Sequence, residues 1–202
     1  MKSVLIALVL LPLAPRADEG ILSQRIIALE KRVAELEKKL APVLEEERVK
    51  QIAEARKRRA RERMLLDAEH LSRLDLNLIE KAYQTANRDW KAEEAKKALA
   101  LLTEKYPAAN RTGCAVLAMA QASEGDEQIK LLRDAIEKHG GCYYLNGVNV
   151  GAYARLYLGM RYKRDGKDAE ANKLFAELRA DFPDAVDHTG QLLTAHLTGI
   201  EE

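Results

Sequence analysis

Aromatic residues make up only 5% of this 202-residue chain, and none occurs between residues 1 and 79. So few large rings argue against one big core and fit small elements stacked in a row. There are two cysteines and four scattered histidines, which form no zinc-ligand cluster, so no metal is expected. His188 and His196 follow Asp184 and Asp187, but without metal-ligand spacing. No Ser or Cys nucleophile has a recognisable context and no Gly-rich phosphate loop occurs, so neither catalysis nor a cofactor is expected. Net charge is nearly absent too, with 33 basic and 32 acidic side chains. The balance hides an asymmetry. Residues 21–66 carry 13 Lys and Arg against 8 Asp and Glu, whereas residues 67–202 carry 18 against 22.

The chain opens with Lys2, an apolar stretch over residues 4–13 interrupted by Pro12, small residues at Ala14 and Ala17, and the acidic pair Asp18 and Glu19. This pattern predicts a signal peptide over residues 1–17 and export to the periplasm or beyond. The apolar run falls short of the roughly 20 residues that span a bilayer, so cleavage is expected over permanent anchoring. Pro15 departs from the small residue wanted near the cleavage site. In an oxidising compartment the two cysteines can pair. Cys114 lies near the start of one predicted helix and Cys142 just past the end of the next, so a disulfide between them is expected, worth about 3–4 kcal/mol in the chain-entropy account. Two unpaired core thiols are the alternative.

Over residues 18–43 the apolar side chains step by three and four. Leu22, Leu29, Leu36 and Val43 mark one seam position, and Ile26, Val33 and Leu40 the other. β-Branched residues at a with Leu at d favour two parallel strands, with a trimer as the alternative. Arg25 and Arg32 fall at g and Glu30 and Glu37 at e, which places opposite charges across a parallel, in-register seam. Pro42 predicts a kink or a fresh helix start. Residues 44–66 then read as a charged helical stalk with a thin apolar stripe. Its run of Arg56, Lys57, Arg58, Arg59, Arg61 and Arg63 is either a solvated helix face or a grip on anionic lipid. Without neighbouring aromatic residues no nucleic-acid partner is expected.

Residues 67–202 hold paired helical patterns separated by turns. The most regular pair contains Leu158, Gly159 and Tyr162, then Ala171 and Phe175, then Pro183. This order of small and large residues resembles the tetratricopeptide repeat, L-G-x2-Y, A-x3-F, P. Gly159 would admit a neighbouring helix, Phe175 would fill the space between helices, and Pro183 would end the second helix. Ala95, Leu99 and Pro107 repeat the second half of the pattern, while Ala82 and Tyr83 stand where Leu and Gly are expected. A middle hairpin turns at Glu124-Gly125-Asp126 in no fixed register. The expected fold is therefore all-α: a coiled coil and long helical stalk, followed by a repeat-like α-solenoid of about three hairpins. A short helix over residues 191–197 would cover its end. From Pro107 to Pro183 the spacing is 38 residues per unit against about 34 in the family. The excess falls in residues 139–148, which contain two adjacent glycines and an Asn-Gly turn and read as an inserted loop pinned by the disulfide.

Tyr143, Tyr144, Tyr153, Tyr157 and Tyr162 cluster within twenty residues. Tyrosine suits recognition, since it presents a large rigid area with one polar tip. A purely structural core cluster is the alternative. In the resembled family ligands lie along the first helix of each repeat, which implies Tyr153, Leu156, Met160, Lys163 and Arg164, with Tyr143 and Tyr144 contributed by the loop. Tyr157 and Tyr162 are expected to pack inside. Leu156 stands at one of the family's Asn clamp positions, so a C-terminal carboxylate ligand is not implied. The whole architecture resembles periplasmic coiled-coil and tetratricopeptide proteins of the Tol-Pal-associated type. The expected function is an exported envelope adaptor that oligomerises through its coil and binds a protein segment on its repeats. A basic-stalk binder of anionic lipid or envelope polymer, with the repeats as spacer, is the alternative.

Overall fold

The computed structural model describes residues 17–198 and 200, with side chains described from residue 21. The expected signal peptide lies almost wholly outside the described residues. Among these, all regular structure is helical: seven α-helices and one 3-10 helix, with two isolated β-bridges. No described helix is long and apolar enough to cross a membrane. The chain forms two compact units, Met1–Val49 and Lys50–Glu202.

Helix α1 (Ala17–His70) runs on through Pro42, so no fresh helix starts there. In the first unit Leu22, Ile26, Leu29, Val33, Leu36 and Leu40 are each 50–63% exposed, leaving the whole heptad seam bare.

The second unit begins earlier than the change in charge and sequence pattern at residues 66–67 suggests. Ala60 is already buried in it, and Arg56 donates to the Asp184 carbonyl at 2.9 Å. Six helices follow: α2 (Arg73–Ala86), α3 (Glu93–Lys105), α4 (Asn110–Ala122), α5 (Gly125–Glu137), α6 (Val150–Arg164) and α7 (Asp168–Asp181). They pack as three antiparallel pairs, α2 with α3, α4 with α5 and α6 with α7. α4 also touches α2 and α6, whereas α3, α5 and α7 do not touch one another. The first helices of the pairs therefore form one layer and the second helices another.

Sequence patterning explains this division. In α2 the buried residues Ile79, Ala82, Tyr83 and Ala86 recur at i, i+3, i+4 and i+7, the single apolar stripe of an outer helix. In α7 the stripe is Ala171, Phe175 and Leu178. α4 and α6 lie inside the stack and are buried almost all round, so their small residues allow close approach. A methyl group on Gly159 would collide with the Phe175 ring, which is completely buried. Filling that space with a phenyl group contributes about 1.5–3 kcal/mol. Helix ends are capped from near and far. Ser72 accepts from the Asp75 N–H at 3.1 Å and starts α2. α4 has no side-chain cap from its own N-cap residue, but Asp67 accepts from the Asn110 N–H at 2.7 Å.

Residues 142–150 form a tight antiparallel loop with a bridge between Tyr143 and Asn149. The same loop recurs 43 positions on, where the bridge joins Val186 and Leu192. Val150 N–H donates to the Cys142 carbonyl and Leu193 N–H to the Ala185 carbonyl, both at 2.9 Å. Gly147 and Gly190 turn the two loops at φ 87° and 91°, a region that side chains disfavour. The first loop leads into α6, the second into a 3-10 helix (Leu193–Leu197) whose Leu193 and Leu197 are buried.

The expected disulfide is absent: Cys114 and Cys142 are buried free thiols. Cys114 Sγ lies 3.4 Å from the Tyr143 carbonyl, within hydrogen-bond reach. The Cys142 side chain lies against Gly113 instead, where a methyl group would meet its Cβ and Sγ at 2.7 Å. The loop is held by amides instead. Asn110 donates to the Tyr143 carbonyl and accepts from the Tyr143 N–H, both at 2.8 Å.

Candidate functional site: an aromatic cleft on the first-helix layer

Six aromatic side chains from α2, the turn after it, α6 and the two loops form two contact groups. Tyr83 and Trp90 pack edge to face at 5.9 Å between ring centres. His188, at the tip of the second loop, lies between Tyr144 at 4.7 Å and Tyr153 at 5.4 Å. Tyr153 in turn packs on Tyr157 at 5.1 Å. All these contacts are edge to face, the arrangement favoured by the ring quadrupole. Between the Tyr83–Trp90 and Tyr144–His188 pairs lies a cleft of about 460 Å³. Asn87 and Gln121 add amide groups, and Ala118 and Ala122 of α4 form a low floor.

The cleft lining contains no Asp, Glu, Lys or Arg. The ion pair beside it, Arg111 with Glu80 at 2.8 Å, is internally neutralised, and Arg111 also lies 4.6 Å from the centre of the Tyr83 ring. Burial pushes the Tyr83 phenol up to about 12, against the pull of Arg111. Burial likewise raises Tyr144 and Tyr153 well above the usual phenol range. Burial lowers His188, with Asp187 opposing, so its imidazole is neutral near pH 7. The surface is thus uncharged, aromatic and furnished with amides. Such a surface binds by contact area and hydrogen bonding.

The expected binding residues do not form one patch. Tyr144 and Tyr153 join the aromatic band. Tyr143 points away from Tyr144, as successive residues of an extended arm must, and borders a second cleft with Arg59, Arg63 and Leu66. Leu156 is 2% exposed and belongs to the core, so it cannot line a groove. Met160 is half-buried and packed against the core. Lys163 pairs with Asp168 at 3.1 Å, and Arg164 is exposed at the end of α6. Tyr162 is buried as expected. Tyr157 is partly buried against the core, with its ring also on Tyr153.

Trp90, Asn87, Gln121 and His188 were not anticipated. Trp90, the single tryptophan, was a visible signal. His188 had none without the 43-residue correspondence of the loops, which equates it with Leu145.

Half of the basic run, Arg56, Arg59 and Arg63, is committed to contacts beyond its own helical turns or to the loops. Arg59 pairs with the Asp184 carboxylate, and Arg63 binds Asp67 and the Ala108 carbonyl. Gly147 lies against Arg56, where a Cβ would meet that of Arg56 at 3.0 Å.

Asp187 anchors the second loop, accepting from Thr189 Oγ1 at 2.6 Å, Thr189 N–H at 2.8 Å and Gln191 N–H at 3.0 Å. His196 Nε2 lies 3.0 Å from its other oxygen. Burial works to raise this carboxyl, but the hydrogen bonds from Thr189, His196 and Gln191 outweigh it and hold it down to about 2. Among the described residues no group of side chains is arranged to hold a metal ion.

No family model, curated protein or solved structure matches the chain.

Proposed function

We propose that this protein is an exported envelope adaptor whose helical hairpins are tetratricopeptide-like repeats, which bind a partner protein segment along the first-helix layer. The observation that carries this reading is the aromatic band of the buried Tyr83, the partly exposed Trp90, Tyr144, Tyr153 and Tyr157, and the exposed His188 beside an uncharged cleft. Aromatic residues in such clefts dominate protein recognition energies. The repeat reading is supported by the contact between Gly159 and Phe175, the two residues that the family pattern pairs.

The bare seam over residues 22–40 supports self-association through α1. Its β-branched and Leu positions, with Arg25 and Arg32 opposite Glu30 and Glu37, suit a parallel dimer over a trimer. Pairing two copies would give weak repeat sites avidity without new contacts. The lipid- or polymer-binding alternative has less support, because Arg56, Arg59 and Arg63 are occupied by contacts within the second unit.

Affinity capture from envelope extract with the full chain tests the adaptor. A protein retained at about 0.5 M salt, where exposed charges are screened, and lost in Tyr153→Ala is the expected result. Retention of anionic polymer alone, at low salt only, would favour the alternative. Sedimentation of Leu29→Glu/Leu36→Glu, expected to be monomeric, tests the seam.

A further inference from the structure

We infer that the open end of the hairpin stack, the groove between α2 and α3 that α4 leaves uncovered, docks an amphipathic helix of a partner protein whose apolar stripe is edged by Asp and Glu. This face is separate from the aromatic cleft and independent of the adaptor reading.

The fold itself selects a helix as occupant. Each pair of helices in the stack offers a groove that the following helix fills: α4 touches both α2 and α3, α6 touches both α4 and α5, and the 3-10 helix touches both α6 and α7. A further groove of about 430 Å³ is lined by α2 and α3 alone, and among the described residues no helix lies in it. Its lining is of the kind that packs on a helix. Leu78 and Ala82 stand four apart on α2, and Ala98 and Leu101 three apart on α3, the spacings at which helix ridges enter grooves. Leu78, Leu101 and Leu74, one turn before Leu78, are exposed. The outer face of a terminal repeat is ordinarily polar, because water covers it. Three exposed leucines beside an alanine floor depart from that rule and mark a docking face.

Charge decides which helix. Lys81 stands beside Ala82 on the α2 wall and Lys97 beside Ala98 on the α3 wall, against one carboxylate, Glu94. Glu93, in the same turn of α3, is taken by Lys96 at 2.8 Å, and among the described residues neither Lys81 nor Lys97 has an ion pair. A second copy presenting the same face would bring four lysines against two glutamates. The bare seam of α1 is no better suited, since Arg25 and Arg32 along one of its edges would meet a lysine wall. A helix with carboxylates along both edges of its apolar stripe sets one opposite each lysine.

The test titrates the full chain, by calorimetry, with a capped three-heptad peptide repeating Leu-Ala-Ala-Leu-Glu-Ala-Glu, whose glutamates keep it from pairing with itself. One comparison peptide replaces each glutamate by lysine, and another has the same residues in an order without the stripe. The acidic peptide is expected to bind about tenfold tighter than the lysine peptide, and the reordered one not to bind. Lys81→Glu/Lys97→Glu, at exposed positions, should invert the preference with an unchanged thermal transition, and Leu78→Asp/Leu101→Asp should abolish binding. Equal binding of the acidic and lysine peptides, no binding, or a preference that survives the lysine reversal would overturn the inference. A lower sedimentation mass in Leu78→Asp/Leu101→Asp would make the face a contact between copies and overturn it as well. Capture by Tyr153→Ala bears on the aromatic cleft alone, so the two readings fail separately.

Discussion

The loops at residues 142–150 and 185–193 have the same backbone and different fastenings. Both close with the same bridge, turn on a glycine of positive φ and hand the chain to a buried apolar residue, Val150 or Leu193. In the first, Asn149 does the fastening: it accepts from the Ala152 N–H at 2.7 Å, capping α6, and donates to the Gly140 carbonyl at 2.9 Å. In the second, the equivalent position is Leu192, which is 43% exposed, and the fastening passes to Asp187 inside the turn. The first loop is packed against Arg56 and Asn110, while Gly190 has open space around it. One backbone solution is therefore met by two side-chain chemistries, and burial decides which is costly to lose.

The sharpest way to break the equivalence is to truncate the two matched positions. Asn149→Ala should cost about 2–4 kcal/mol, combining a lost helix cap with buried groups left unpaired. Leu192→Ala should cost less than about 1 kcal/mol, as exposed positions do. Urea midpoints at unchanged slope would report both; equal losses would refute the unequal fastening.

The glycines give the next contrast. Alanine at either should cost about 1–2 kcal/mol for the left-handed backbone. Gly147→Ala should cost a further ~1–3 kcal/mol because its Cβ presses on Arg56. If Gly147→Ala and Gly190→Ala are indistinguishable, the α1 contact is not part of the folded unit.

Asp187 sharpens the comparison through pH. Its carboxyl is held at about 2 in the folded chain against an ordinary 3.8. A depressed carboxyl stabilises the fold above its unfolded value and loses that contribution as pH falls through its folded value. Wild type should therefore lose stability between about pH 4 and pH 2 relative to Asp187→Asn, measured by thermal melts across that window. The first loop, with Tyr144 at the matching position, supplies no such term.

The smallest expected effect on stability, though clear in chemistry, concerns the thiols. Burial raises both Cys114 and Cys142, so neither forms thiolate readily. Alkylation should label neither in the native state and both in denaturant, with identical melts in reductant and oxidant. A reductant-sensitive melt would point to a bridge.

Much of the fold was legible. The stripe in α2, the Gly159–Phe175 pairing and the helix-stopping turns were readable from local spacing, because helix formation and side-chain direction depend on near neighbours. The aromatic site was legible only in part. Tyr144 and Tyr153 were named for their clustering, but Tyr83 and Trp90 lie some sixty residues earlier and join them only because α2 packs on α4 and α4 on α6. Leu156 was misplaced because α6 is buried on nearly every side, so position along the helix does not distinguish groove from core. The pairing expected of Cys114 and Cys142 rested on their places in the anticipated hairpin, whereas both are buried free thiols.

By itself the sequence determined the helices, their pairing into hairpins and the exposed heptad seam, since each follows from periodicity within a few turns. Tertiary structure alone decided that Arg56 and Arg59 would be spent on Asp184 and Arg63 on the Ala108 carbonyl. It also decided that an unforeseen second loop would bring His188 between two tyrosines. These outcomes depend on contacts across tens of residues, where no local period carries the information and only the packing of one buried layer on another brings the groups together.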